Sequence, residues 1–430
     1  MRWGLFMMGW VWILASCSPN TFLKKKLTLS EKKFKDHIGF ILYDPGAGKT
    51  LLEFNSDKYF TPASNTKIFT FYSSLQILGD SVPALNYIVR SDSLIFWGTG
   101  DPSLLYREVY NNNRVYDFLK NTPLRLFFSP SNFQTKQLGP GWAWDDYVYT
   151  YSSERYSFPL FGNFMEVEKD PYNQLITRPS LFARQLVMGD SVAGEGEVIR
   201  DLDSNRITFY PGKKRSSTST WQLPFHSSPD VVVSLLSDTL KKKVEVIHYP
   251  LPKQYRTLNS IPADSLYQRM MQDSDNFIAE QLLLLCAGAV SDTLNPEVAI
   301  RYARKNFLFD LPDDPVWVDG SGLSRYNLFT PRSIVRLWEK IYRKVPQERL
   351  FKLLAAGSQS GTLKNWYMAD KPYIFGKTGS LSNNHTLSGY LITRKGKVLI
   401  FSFMNADFIA PSDEVRRMMQ EFLVTVRNEY

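Results

Sequence analysis

The stretch Tyr59–Gly79, YFTPASNTKIFTFYSSLQILG, constrains this chain more than any other. Pro62 fixes a bend, and Ser64 follows at the mouth of a helix. Ile68, Phe71, Tyr72, Leu75 and Leu78 recur at three- and four-residue spacing, which predicts a buried helix that stops near Gly79. Ser64 and Lys67 are three apart, so they share one face within one turn. A serine at a helix start with an amine one turn along is a nucleophile–base pair, provided desolvation keeps the amine neutral part of the time. The pattern alone is common. Ser30–Lys33 (SEKK) repeats it in a charged stretch with no apolar run behind it.

With 430 residues and 43% apolar composition, the chain has core for two domains or three. Its charge of +9 admits nucleic acid, a membrane surface or acidic substrates as partners, and equally a solvated basic surface. No RNP-like motif accompanies the aromatics, so no nucleic-acid partner is expected. His37, His226, His248 and His385 are scattered, and no Cys/His cluster has ligand spacing; no metal or other cofactor is expected. At the N-terminus Arg2 precedes the apolar run Trp3–Ala15, short for a membrane span but suited to a signal-peptide core. It ends in Leu14-Ala15-Ser16-Cys17, which predicts a lipoprotein signal over residues 1–17, cleaved before Cys17 and lipidated on it. The alternative is an ordinary secretory signal that contains a cysteine. Cys286, in QLLLLCAG, then lacks a partner and is expected as a buried helical thiol.

Along the chain, residues 18–29 (SPNTFLKKKLTL) are polar and basic and are expected to form a tether, with Ser30 capping a short helix after it. Ile38–Tyr43 and Thr50–Phe54 predict two strands around the turn Asp44–Gly48. GAGKT there is not a phosphate loop, because Tyr43 stands where its first glycine is required. From residue 84 to 255 the texture turns to Tyr, Ser, Asn and Pro, with short strand-like runs at Leu94–Trp97, Leu124–Phe128 and Val231–Leu236. This predicts an inserted β-rich module. Helical spacing returns at Asp264–Met271 and Phe277–Ala289. Between them lies Ser274-Asp275-Asn276, where Ser274 either serves chemistry or simply caps the second helix. The loops DGSGLSRYN (Asp319–Asn327) and GSQSGTL (Gly357–Leu363) follow; the second is no nucleophile elbow, since its centre is Gln359. Tyr373–Ser380, Leu387–Thr393 and Val398–Met404 predict three strands, and Asp413–Arg427 a closing helix capped by Ser412. Lys377-Thr378-Gly379 falls in the first of these strands, where a glycine lets a substrate backbone approach. The predicted class is α+β, an antiparallel sheet flanked by helices with a large insertion. The domains are then 18–29 as tether, 30–83 with 256–430 as one domain, and 84–255 as the module.

Ser64-x-x-Lys67, Ser274-Asp275-Asn276 and Lys377-Thr378-Gly379, in that order on helix, loop and strand, form the motif set of serine β-lactamases and penicillin-binding proteins. GTGDPSL (Gly98–Leu104), WAWDDY, the Asp319–Asn327 loop and SGTL extend the likeness. Over roughly residues 30 to 425 the chain resembles the class C low-molecular-mass penicillin-binding proteins, the D-Ala-D-Ala carboxypeptidase/endopeptidase family of the penicillin-binding protein 4 type. It departs at Thr99, where the family has a glycine, and at Ser360, where it tends to have an acid. The resemblance implies attack by Ser64 on the D-Ala-D-Ala carbonyl of a peptidoglycan stem peptide, with Lys67 as base. It further implies that Ser274 relays the proton to the leaving amine and that Asn276 orients Lys67 and the substrate. Lys377, Thr378 and Gly379 would bind the substrate, and the backbone N–H groups of Ser64 and Ser380 would form the oxyanion hole. β-Lactams are then expected as covalent inhibitors, and a lipid anchor in the outer membrane facing the periplasm as the location. A β-lactamase or a catalytically silent envelope scaffold on the same fold are the alternatives.

Overall fold

The computed structural model describes residues 19–109, 113–170, 172, 174–213 and 219–430; the expected signal segment, including Cys17, lies outside the described residues. Six strands form one antiparallel sheet, in the order Ala355–Ala356, Ile374–Leu381, Asn384–Ile392, Val398–Ala406, His37–Asp44 and Lys49–Phe54. First and last thirds of the chain thus meet in the middle, where His37–Tyr43 pairs with Ile400–Ala406. Alternation along each strand divides the side chains between two cores. Phe40, Leu42, Leu399, Phe401 and Phe403 point to one face, against the helix Ser412–Glu429. Phe40, Phe403 and Phe422 meet there edge to face at 4.9–5.4 Å. Ile41, Ile400 and Met404 point to the other, beneath helices Lys67–Ile77, Asn276–Ser291 and Pro331–Lys344. The fold class is the α+β one expected, helices on an antiparallel sheet.

Several local expectations change. Residues 18–29 are not a tether over the span described: Pro19–Phe34 is a single helix, and Leu23, Leu27 and Phe34 are buried in the sheet's outer core. Five lysines masked the three apolar positions that share one helical face. Ser30 caps nothing, since it lies mid-helix and its hydroxyl donates to the Lys26 carbonyl. The Lys67 helix ends at Ile77 with Leu78 extended (φ −88°), so Gly79 supplies no left-handed cap. Ser412 opens the last helix without a side-chain cap.

Among the described residues, the region between the two halves holds three sheets. The largest runs in the order Val244–Val246, Arg125–Phe128, Ser93–Gly98, Ser81–Arg90, Arg256–Pro262, so the strands that enter and leave the region lie side by side. Both extend beyond the boundaries 84 and 255 expected from composition, because the sequence texture changes after the entering strand has begun. Val231–Leu236, read as a strand for its valines, belongs to the helix Pro229–Leu240. Ser228 caps it, accepting from Val231 N at 3.2 Å, and Val232, Leu235, Leu236 and Leu240 are buried at helical spacing. Three consecutive valines suggested β structure; the cap and the three-and-four spacing outweigh them.

Candidate active site

Ser64 does not start the α-helix itself. It lies in a 3-10 turn, Ala63–Thr66, that runs into Lys67–Ile77. Ala63 is left-handed (φ 47°) and fully buried, a strained conformation for a residue with a Cβ. The turn is fastened on three sides. Asn65 Nδ2 donates to the Lys377 carbonyl at 3.0 Å and to Thr386 Oγ1 at 2.8 Å, and Ser388 donates to its Oδ1. Thr66 Oγ1 bonds the Ala63 carbonyl, and Thr70 Oγ1 the Gly320 carbonyl. Gly322, at φ +82°, backs directly onto the turn: a Cβ there would lie 1.8 Å from the Ala63 carbonyl oxygen. Gly379 has the same reason for being glycine, since its Cβ would lie 2.7 Å from the Pro62 carbonyl and 2.9 Å from Ser64 N. The chain's own turn, rather than a substrate backbone alone, makes this close approach.

Lys67 is fully buried, and its Nζ donates to Ser64 Oγ at 2.9 Å, to Asn276 Oδ1 at 2.6 Å and to the Ser321 carbonyl at 2.7 Å. Burial holds its amine down at about 8, against the opposing pull of the carboxylates of Asp319, Glu280 and Asp275. Asn276 in turn donates from Nδ2 to the Tyr151 carbonyl at 2.9 Å. Ser274 is left-handed (φ 65°) and does not cap the following helix; Asp275 does, accepting from Ile278 N at 2.9 Å. Ser274 is thus free of a capping task and faces Lys377, whose Nζ donates to its Oγ at 2.8 Å and to the Thr378 carbonyl at 2.8 Å. Lys377 is also fully buried; desolvation and the neighbouring Lys67 press its amine well below the ordinary lysine range. Thr378 Oγ1 donates to Thr362 Oγ1 at 2.7 Å.

The structure therefore brings Ser64, Lys67, Ser274, Asn276, Lys377, Thr378 and Gly379 to one place, and Ser64 and Ser380 line the same cleft. That cleft, of about 690 Å³, is lined also by Gly141, Ala143, Asp145, Asp146, Tyr151 and Arg325. The Ser64 N–H, at the first turn of its helix, is one that no helical carbonyl accepts. Among the described residues no cluster of three His, Cys, Asp or Glu side chains could hold a metal, and no helix is long and apolar enough to cross a membrane.

Other parts of the site were not legible as such. Asp319 is buried and fixes its loop by accepting from Gly322 N, Ser324 N and Asn327 Nδ2 at 2.7–2.8 Å, so that Ser321 presents its carbonyl to Lys67. Glu280 accepts from Ser321 N at 2.8 Å and pairs with Arg155 at 3.2 Å, both side chains being buried. Burial and Asp319 raise the Glu280 carboxyl. The only hint of this in the sequence is one acid inside the apolar run FIAEQLLLLCAGA. Trp142 Nε1 donates to Asp319 Oδ2 at 3.0 Å, and its ring lies under the Arg155 guanidinium. Both residues come from the inserted region, so that region is part of the site's wall.

A serine hydroxyl hydrogen-bonded to a desolvated lysine, with a second buried lysine beyond it, is equipped for acyl transfer. Fold and site together define a serine acyl-enzyme of the penicillin-interacting class. The chain belongs to the D-Ala-D-Ala carboxypeptidase 3 (S13) family, whose model matches residues 24–195 and 233–428. It is a serine-type D-Ala-D-Ala carboxypeptidase, a hydrolase of peptidoglycan. D-alanyl-D-alanine carboxypeptidase DacB of Haemophilus influenzae is 22% identical over 423 residues, covering 86% of this chain and 85% of that one. Penicillin-sensitive carboxypeptidase A of Dictyostelium discoideum is 22% identical over 467 residues, with 89% and 87% covered. The crystal structure of penicillin binding protein 4 (dacB) from Haemophilus influenzae matches with a TM-score of 0.74 at 19% identity, over 94% of this chain and 98% of that one.

Proposed function

We propose that Ser64 is the nucleophile of this carboxypeptidase and Lys67 its general base. One contact carries the assignment: the 2.9 Å hydrogen bond from Lys67 Nζ to Ser64 Oγ, on an amine that burial brings down to about 8. Neutral Lys67 takes the Ser64 proton as Oγ adds to the carbonyl of the D-Ala-D-Ala bond. The N–H groups of Ser64 and Ser380 receive the developing oxyanion, each such donor being worth roughly 3 kcal/mol. Ser274 accepts its hydrogen bond from Lys377, which leaves its own proton to pass on to the departing amine; the proton taken up by Lys67 replaces it, so Ser274 stays a hydroxyl and Lys67 is neutral again for hydrolysis. Asn276 fixes Lys67 from the other side. The terminal carboxylate of the substrate meets Lys377 and Thr378, whose hydroxyl turns from Thr362 to reach it. An incoming carboxylate is also the counter-charge that lets Lys377 be protonated beside Lys67. Water then hydrolyses the acyl-enzyme, and a β-lactam stalls there. Endopeptidase cleavage of cross-links would be a second activity of the same centre.

Labelling with a fluorescent penicillin tests the assignment. Wild type should carry a stable covalent label and Ser64→Ala none. A label that persists in the variant would place the nucleophile elsewhere.

The location follows from the N-terminus. Residues 1–17 read as a lipoprotein signal, and an anchor on Cys17 would hold the enzyme to the outer membrane facing the periplasm. Mass spectrometry of the mature N-terminus should find a lipidated Cys17; an unmodified start elsewhere would remove the anchor.

A further inference from the structure

Building on this envelope location, we propose that the outward face of the helix Pro19–Phe34 is a docking surface for an anionic lipid bilayer. The helix has two faces of opposite character. Leu23, Leu27 and Phe34 are buried against the strands His37–Asp44 and Lys49–Phe54 and the helix Ser412–Glu429. Away from that buried stripe Phe22 (46% exposed) and Leu29 (54% exposed) stand one above the other at a seven-residue spacing, Leu29 at the rim of the groove beside Ser412–Glu429. Lys25 and Lys32 flank them on one side, Lys26 and Lys33 on the other. Two exposed apolar side chains set among lysines is the composition of a helix that lies in a membrane interface. Lys26 already covers the Phe22 ring at 5.0 Å, so its stem and the ring form one apolar ridge with a cationic edge.

The charges facing this surface decide its sign. Glu31 is the helix's one acid, and it points back into the protein, accepting from Ile38 N at 2.9 Å and from Asn55 Nδ2. The groove between this helix and Ser412–Glu429 is closer to balance, with Lys26 and Lys33 on one wall and Asp413, Glu414, Glu421 and Arg417 on the other. Lys24, Lys25 and Lys32 are exposed and have no ion-pair partner among the described residues. The surplus is positive and lies on the outer face.

Position supplies the occupant. The helix begins at Pro19, two residues after Cys17, and two residues of chain reach at most ~7 Å. A lipid on Cys17 would therefore bring this ~24 Å helix to the headgroups. The catalytic cleft would face away. The strand bearing Lys377 is separated by three strands from Lys49–Phe54, about 19 Å across the sheet, and the Lys67 helix lies on the sheet's other face. Docking through this helix would present the cleft to the wall rather than to the bilayer.

Vesicle sedimentation of the chain expressed from Ser18, which keeps every described residue and carries no lipid, tests the surface apart from the anchor. The unlipidated protein should bind phosphatidylglycerol vesicles at low salt, release at high salt, and ignore phosphatidylcholine vesicles. Lys25→Glu/Lys32→Glu should weaken binding by tenfold or more. Arg301→Glu/Lys305→Glu, the same charge change on an exposed face of helix Pro296–Asn306, should weaken it far less. No binding by wild type, equal binding by the Lys25/Lys32 variant, or equal loss in the control pair would each overturn the proposal. Penicillin labelling of every variant reports folding, and the N-terminal mass reports the anchor, so failure of the docking surface stays distinct from failure of the envelope location.

Discussion

Lys67 is held by three oxygens of different origin, and each comes from a different segment: Ser64 from its own turn, Asn276 from a helix start, Ser321 from a loop. Burial pushes the amine towards neutrality while Asp319, Glu280 and Asp275 pull it back. With neutral Lys67 as the proposed base, acylation by penicillin should rise as pH rises through about 8 and level off above it. A rate that fell over that range would exclude Lys67 as base. Glu280 offers a sharper check, because its charge favours protonated Lys67. Glu280→Gln should therefore move the midpoint of the pH–rate curve to lower pH. It should also leave the buried Arg155 without its ionic partner, at a stability cost of roughly 3–5 kcal/mol by urea unfolding. A purely structural glutamate would show the second effect without the first.

At the scale of elements, the N-terminal helix shows how burial overrides local composition. FLKKKLTLSEKKF reads as polar, yet Leu23 and Leu27 are fully buried at a four-residue spacing. Leu27→Ala should lower stability by about 2–5 kcal/mol in denaturant titration, as for any core leucine. A solvated tether would give a change within ~0.5 kcal/mol. The turn before Lys67 shows the complementary effect. Strain at Ala63 and Ser274 persists because the backbone around them is over-determined by Gly322, Gly379, Asn65 and Asp275. The Asn65 and Asp275 side chains touch no substrate in the proposed mechanism, but together with the two close-packed glycines they fix where Ser64 and Ser274 point.

At the scale of the whole molecule, the inserted region and the six-stranded sheet with its helices share buried polar contacts. Gln281, beside Glu280, accepts from Tyr156 N and donates to the carbonyls of Gly100 and Tyr156, while Arg155 neutralises Glu280 from the same strip of chain. Asn276 and Asp275 likewise reach Tyr151 and Tyr106. Replacing residues 84–255 by a short turn would strip these partners from buried polar groups. The shortened chain should be poorly soluble or fail to react with penicillin, as soluble yield and fluorescent labelling would show. A soluble, reactive remnant would mean that the region serves only substrate choice.

What the sequence determined by itself were the motifs to which the chemistry is assigned in the proposed mechanism and the periodic elements that carry them. Ser64, Lys67, Ser274, Asn276 and Lys377 stand in short motifs whose spacing within a helix turn or strand is a local property. Five of the six sheet strands, with apolar residues on both faces, and the helices Asn276–Ser291 and Ser412–Glu429 were legible for the same reason; Pro19–Phe34, as long as the first of these helices, was not. The tertiary structure decided everything that depends on charge balance and close approach across long distances in the chain. Why position 379 must lack a Cβ depends on the Pro62–Ser64 backbone, some three hundred residues away. Why an acid is tolerated within an apolar helix depends on Arg155. No window of sequence contains both partners of such a contact, and burial, which sets the protonation of Lys67, exists only once the chain has closed around it.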